Sequence, residues 1–334
     1  MNNEIQHKTS SFIEHIKRII KEAQIGVVRS VNSIMVQTYF ELGKRIVEHE
    51  QEGSDYSNYG DYILERLSSE LSNEFGKGYS KRNLELIRKF YITYKIAKSP
   101  ISQSISWTHY LHLMRIENED ERSFYEIETE KNNWSVRELD RQINTSLYQR
   151  LSLSKDKKGI LKLAEKGQII EKASDLIKDP YILDFLNLEE SSTYSETELE
   201  QELINKLEHF LLELGKGFTF VGRQVRFTFD EEHFRVDLVF YNRLLKCFVL
   251  IDLKIGKLKH QDLGQMQMYV NYYDRYVKLE EENKTIGIIL CKDKKDTLVE
   301  ITLPENNNQI FASKYELILP SKNELKQLIE NKTI

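Results

Sequence analysis

Cysteine and proline are scarce, at two and four of 334 residues. Cys247 and Cys291 each sit inside an apolar run, and no paired Cys or Cys/His spacing exists, which excludes a disulfide framework and a structural zinc site and points to a reducing compartment. Long apolar runs are also missing. No stretch approaches the ~18 residues that a membrane span needs, and the N-terminus lacks an apolar signal region, so the expected location is cytoplasmic with no membrane partner. Nor is there an excess of positive charge: the net charge of −5 means that any surface for an anionic polymer is a local basic patch. The segment GKGYS lacks the upstream glycine of a phosphate loop, and His109 and His112 have no further ligands at metal spacing. What remains, 40% hydrophobic and 30% charged residues, describes a globular chain long enough for two domains.

The prolines stand at 100, 180, 304 and 320. Up to about residue 150 the apolar residues recur at helical spacing, interrupted by a Pro100 loop and by no strand signal. YILERLSSELSNEF, GKGYS and KRNLELIRKFY read as helix, turn, helix, with Ser80 as N-cap and Lys81, Arg82 and Asn83 opening the second helix. Lys81 and Arg82 are therefore candidates for contact with a nucleic acid, against the plainer reading of solvated helix charges. Ser135 opens a later helix in the same way. Residues 151–195 read as a lysine-rich connector with short helices, and from 196 helices and strands mix. The expected domains are 1–150, all helical, and 196–334, α+β.

Leu199, Leu203, Leu207, Phe210, Leu211 and Leu214 place one amphipathic helix before Gly215. Glu200 falls inside its apolar stripe, whereas Glu198, Glu202 and Glu213 fall outside. RVDLVFY and KCFVLIDLK read as two strands joined by a turn around residues 242–245. Residues two apart share a strand face, so Asp252 and Lys254 point the same way, and hairpin pairing brings Asp237 beside Asp252. Two such carboxylates repel unless a cation lies between them, and oxygen ligands suit Mg2+ or Mn2+. HQDLGQMQMYVNYYDRYV is a helix that carries Gln265 and Tyr269 on one face, and TIGIILCKDK is a buried strand, so the order is that of a parallel crossover.

A helix with Glu, strands, Asp237, Asp252 and Lys254, a helix with Gln265 and Tyr269, then a strand: this order resembles the PD-(D/E)XK nuclease core, an αβββαβ fold with a mixed sheet. FLLELGKGFTFVGRQ, RVDLVFYNRLLKCFVLIDLKIGK and LGQMQMYVNYYD resemble the YhcG-type family of that superfamily. ELGKRIVEHEQ, ISWTHYLHLMRI and WSVRELDRQI resemble its helical N-terminal domain. One departure is the missing Pro before Asp237, where Arg235 and Val236 stand. The resemblance implies a metal-dependent endonuclease acting on DNA. In it Asp237, Asp252 and Glu200 hold the metal, Lys254 positions the water nucleophile or stabilises the transition state, and Gln265 orients a substrate or metal-shell group. Lys257, Lys259 and Tyr269 would contact the nucleic acid. RNA stays open as substrate, since these residues are indifferent to the sugar. A homodimer would supply two sites for two strands, and the alternative class is an inactive binding or assembly module on the same fold.

Overall fold

The computed structural model describes residues 2–52, 59–95, 102, 104–153, 157–188, 194–318 and 324–325. The Pro100 loop and residues 154–156 and 189–193 of the expected connector lie outside them. Contacts group the chain into two compact units, Met1–Arg141 and Gln142–Ile334.

The first unit is helical among the described residues: α1 (Asn2–Glu52), α2 (Tyr59–Phe75), α3 (Lys81–Tyr94), α4 (Trp107–Leu113), α5 (Glu119–Asn132) and the start of α6 (Val136–Asn144). Local chemistry sets the helix starts. Ser80 accepts a hydrogen bond from the Asn83 amide, and Ser135 accepts one from Glu138. His109 closes a capping box with Ser106 and lies 3.1 Å from the Trp134 carbonyl, while His112 pairs with Asp140. The core is aromatic, with Phe90 in contact with Phe40, Tyr94, Trp107 and Tyr110. Gly43 of α1 lies so close to Ile87 and Tyr91 of α3 that a Cβ there would overlap them.

The second unit continues through α7 (Leu147–Leu153), α8 (Lys157–Lys166), β1 (Tyr181–Ile182), α9 (Glu196–Asn205) and α10 (Leu207–Leu214). Then come β2 (Phe218–Phe229), β3 (Glu232–Asn242), β4 (Cys247–Lys257), α11 (His260–Tyr276), β5 (Ile286–Asp293), α12 (Asp296–Thr302) and β6 (Ile310–Glu316). The six strands form one mixed sheet in the order β1-β6-β5-β4-β3-β2. β2, β3 and β4 are antiparallel neighbours; β4, β5, β6 and β1 run parallel. The α+β, αβββαβ expectation holds, with a further α12–β6 after it and β1 at the far edge. Leu199, Leu203, Phe210 and Leu214 pack on one sheet face with Leu238, Ile251, Leu253 and Ile288. Leu263, Met266, Tyr269, Val270 and Tyr273 of α11 cover the other face.

Two local expectations need correction. The single helix over 199–214 is two helices, broken at Lys206 (φ −117°), whose ammonium donates to the carbonyls of Phe185 and Leu186. Glu213, expected outside the apolar stripe, is buried at 1% exposure. Its carboxylate takes a two-pronged bond from Arg150 (2.5 and 3.3 Å) and one from the Ile182 amide (3.0 Å). Burial alone would raise its pKa, but Arg150 and Lys178 outweigh burial and hold it below the usual glutamate value.

Candidate active site

The candidate residues meet where the β3–β4 ladder ends. Its last paired residues are Leu238 and Ile251, so the next step would set Asp237 opposite Asp252. Instead of continuing the backbone ladder, the Asp237 side chain takes the bond: its Oδ2 accepts from the Leu253 amide at 2.9 Å. This holds the carboxylate against β4 beside Asp252, which is 3% exposed. Burial first, and then the charge and hydrogen bond of Asp237, push the Asp252 pKa up to about 7, while Lys254 opposes the rise. The Lys254 ammonium lies 2.8 Å from Asp252 Oδ2 and 3.6 Å from Glu196 Oε2. The 2.8 Å contact is an ion pair that holds the buried Asp252 oxygen on β4. Burial pulls Lys254 down, but Asp252 and then Glu196 carry it above the ordinary lysine value.

Glu200 reaches the same place from α9, whose start is fixed by the reciprocal bonds between Ser195 and Glu198. It is 6% exposed, and burial raises its pKa, with Gln224 opposing and Asp237 adding to the rise. The amide nitrogen of Gln224 donates to Glu200 Oε2 (2.5 Å) and to Asp237 Oδ1 (3.1 Å). Two acceptors on one amide end settle which end points inward. Gln224 lies on β2 between the pairs Arg223–Leu238 and Val225–Val236, opposite Asp237, in a left-handed conformation (φ 47°). The pairing skips it, and its side chain bridges the carboxylates instead. Neither Gln224 nor Glu196 was legible in the sequence, because a glutamine in a strand and a glutamate at a helix start carry no signal until register places them.

On the sheet face that α11 covers, which Asp252 shares with Leu250, the exposed Gln265 amide donates to the Tyr269 hydroxyl at 2.5 Å. Tyr269 is 1% exposed, and burial, then Asp252, push its pKa up to about 12. Lys257 is exposed and 3.9 Å from Asp293, and Lys259, also exposed, precedes α11. Lys81 and Arg82, in the first unit, open α3; Lys81 is held by Glu65 (2.8 Å) and Asp61 (3.7 Å), and Arg82 is exposed.

As they stand, no three His, Cys, Asp or Glu side chains among the described residues are grouped tightly enough to hold a metal ion. The donor chemistry nonetheless suits a hard divalent cation: neighbouring carboxylates whose mutual repulsion helps push the Asp252 pKa up.

A mixed sheet with acids converging at the end of its β-hairpin places this chain among PD-(D/E)XK nucleases. The description "YhcG PDDEXK nuclease domain" matches residues 174–330, and "DUF1016 N-terminal domain" matches residues 15–150. "Putative nuclease YhcG" of Escherichia coli (strain K12) is 38% identical over 341 aligned residues, covering 93% of this chain and 90% of that protein. The chain belongs to the YhcG family of PDDEXK nucleases. Two solved structures show weaker likeness and are each matched over about half their length. They are a repair endonuclease from Pyrococcus abyssi (18% identity, 38% of this chain and 50% of that one, TM-score 0.26) and EndoMS in apo form (16%, 40% and 49%, TM-score 0.25). Among the described residues no helix is long and apolar enough to cross a membrane.

Proposed function

We propose that the chain is a divalent-metal-dependent endonuclease that hydrolyses DNA phosphodiester bonds in the cytoplasm, with a catalytic domain over 196–334 and a recognition domain over 1–150. The carrying observation is the meeting of Asp237, Asp252 and Lys254 at one strand end, where the buried Asp252 carboxylate stands beside that of Asp237 and pairs with the Lys254 ammonium. Asp237 and Asp252 would hold Mg2+ or Mn2+, and Glu200 would complete the set once Gln224 releases it. The bound cation supplies Lewis-acid activation of water and charge neutralisation. Lys254 orients the attacking water and offsets charge that develops on the phosphate. Gln265, anchored by Tyr269, orients a group of the substrate, and Lys257 and Lys259 touch phosphates beyond the cut. Lys81 and Arg82 read or grip the duplex from the helical domain, and a homodimer would cut both strands.

Nicking of supercoiled plasmid tests the reading. Cleavage should require Mg2+, stop with EDTA, and fall to background for Asp237→Asn and Asp252→Asn with the fold retained. Glu200→Gln should weaken metal dependence, whereas Glu202→Gln should not. Undiminished cleavage by the Asp252→Asn protein sinks the assignment. Binding without any metal-dependent cleavage would favour the inactive module instead. Cleavage of RNA but not DNA would move the substrate.

A further inference from the structure

The β2–β3 hairpin runs past the rest of the sheet. Its own pairing continues to Phe229 and Glu232, whereas β4 leaves β3 after Leu238. The stretch from Arg223 to Asp237 is therefore an arm with two unlike faces. One face is apolar: Phe227 stacks on Phe234 (5.5 Å) and on Tyr272 of α11 (4.1 Å). The other is polar and open. Arg226 and Arg235 are cross-strand partners, both exposed, and the next pair on that face, Thr228 and His233, are 2.9 Å apart.

Like charges directly opposite on a ladder destabilise it. Here two guanidinium groups share one face, and neither has an ion-pair partner among the described residues, in a chain whose net charge is −5. Among the described residues no ion pair offsets this repulsion, but an anion between the two forks would. Guanidinium forks match phosphate oxygens in pairs, so a phosphate is the anion that suits them. The position supports the same ligand. Arg226 stands two residues from Gln224 on β2, and Arg235 stands two residues from Asp237 on β3. At about 3.4 Å per residue the pair is about 7 Å along the arm from the carboxylates. Arg223 adds a third cation nearer the site, donating to Gln201 at 2.8 Å.

We propose that Arg226 and Arg235 form a phosphate grip that holds the backbone of the nucleic acid next to the phosphate cut at Asp237 and Asp252. This rests on the nuclease reading and deepens it: the arm fixes where the strand lies, and the acids act one step away. The ligand is a phosphodiester backbone, in DNA or RNA.

The test uses the full chain in Ca2+, with a labelled DNA duplex and an RNA duplex of the same length, and reads binding by anisotropy across a salt series. Arg226→Ala with Arg235→Ala should weaken binding and make the log–log salt slope shallower by roughly two units, at about 0.9 per phosphate on a duplex. The affinity lost between 50 and 200 mM salt should then shrink by roughly tenfold. Arg226→Lys with Arg235→Lys should keep the slope but recover only part of the affinity, because a lysine is a point charge without the fork. Mn2+ affinity measured by calorimetry without nucleic acid should not change. The alanine pair should also raise the melting temperature at low salt, since it removes the repulsion, which a merely damaged fold would not do. Arg243→Ala with Lys246→Ala, the same charge loss at the hairpin's other end, should barely matter. Loss on one polymer alone supports the grip and names its ligand. An alanine pair that binds with unchanged affinity and slope, or a control pair that loses as much, overturns the grip while unmodified binding leaves the nuclease reading standing. Failure of the unmodified chain to bind either duplex overturns both.

Discussion

Residues that bury charge here do so in two ways with different consequences. Glu126 in the first unit is buried and faces the Tyr110 hydroxyl at 3.0 Å, a hydroxyl equally close to the Ser102 carbonyl. One O–H proton cannot serve both acceptors, and burial raises the Glu126 pKa. The folded state therefore holds the proton more tightly than the unfolded one, so stability falls as pH rises from the unfolded glutamate value through the raised folded value. Glu126→Gln keeps a carbonyl acceptor and removes the charge. It should raise the melting temperature at pH 8 and leave it nearly unchanged at pH 4; equal shifts at both would remove Glu126 as the cause. Glu213 is the opposite case, a buried carboxylate fully matched by Arg150. Truncating one partner strands the other charge, so Glu213→Ala should cost about 3–5 kcal/mol in urea unfolding. Replacing both by apolar residues of similar volume should cost much less, and an equal loss would refute the stranded-charge account.

Among the elements, α11 sets the distance between the Gln265–Tyr269 pair and the sheet. It comes close because Gly287 of β5 offers no side chain: a Cβ there would stand 2.5 Å from Met266 Sδ and 2.9 Å from Val270 Cγ2. Gly287→Ala should force the helix outward and cost about 1–3 kcal/mol. Gly264, on the same helix, meets nothing within 4 Å. There Gly264→Ala should stabilise, by up to about 1 kcal/mol, through helix propensity alone. Denaturant midpoints of the two variants should move in opposite directions, and a stabilising Gly287→Ala would show that the helix seat has room to give.

For the whole molecule, a cation that binds only the folded state raises stability by mass action. At a free concentration a hundredfold above its dissociation constant the gain is about 2.7 kcal/mol. For a unit of this size that is a melting-temperature rise of roughly 5–10 °C. Mg2+ titrated into the chain without nucleic acid should produce that rise, EDTA should reverse it, and Asp252→Asn should abolish it. The same rise in the Asp252→Asn protein would place the cation elsewhere.

The apolar run that ends in Asp252 was enough to assign a buried strand with Asp252 and Lys254 on one face, because strand period is a local property. The crossover from β4 through α11 to β5 followed from element order, because parallel neighbours need a long connection and a helix between two strands supplies one. The helix break at Lys206 did not, because the carbonyls that hold its ammonium come from Phe185 and Leu186, in a segment with no pattern of its own. Glu213 was misplaced for the same kind of reason: its partner, Arg150, is 63 residues away. Gln224 depends on more still, since only the register of β2 on β3, with the pairing skipped where φ turns positive, sets its amide between Glu200 and Asp237. Periodicity and element order are written into neighbouring residues, whereas the satisfaction of a buried charge is decided by whichever distant segment the packed chain brings to it.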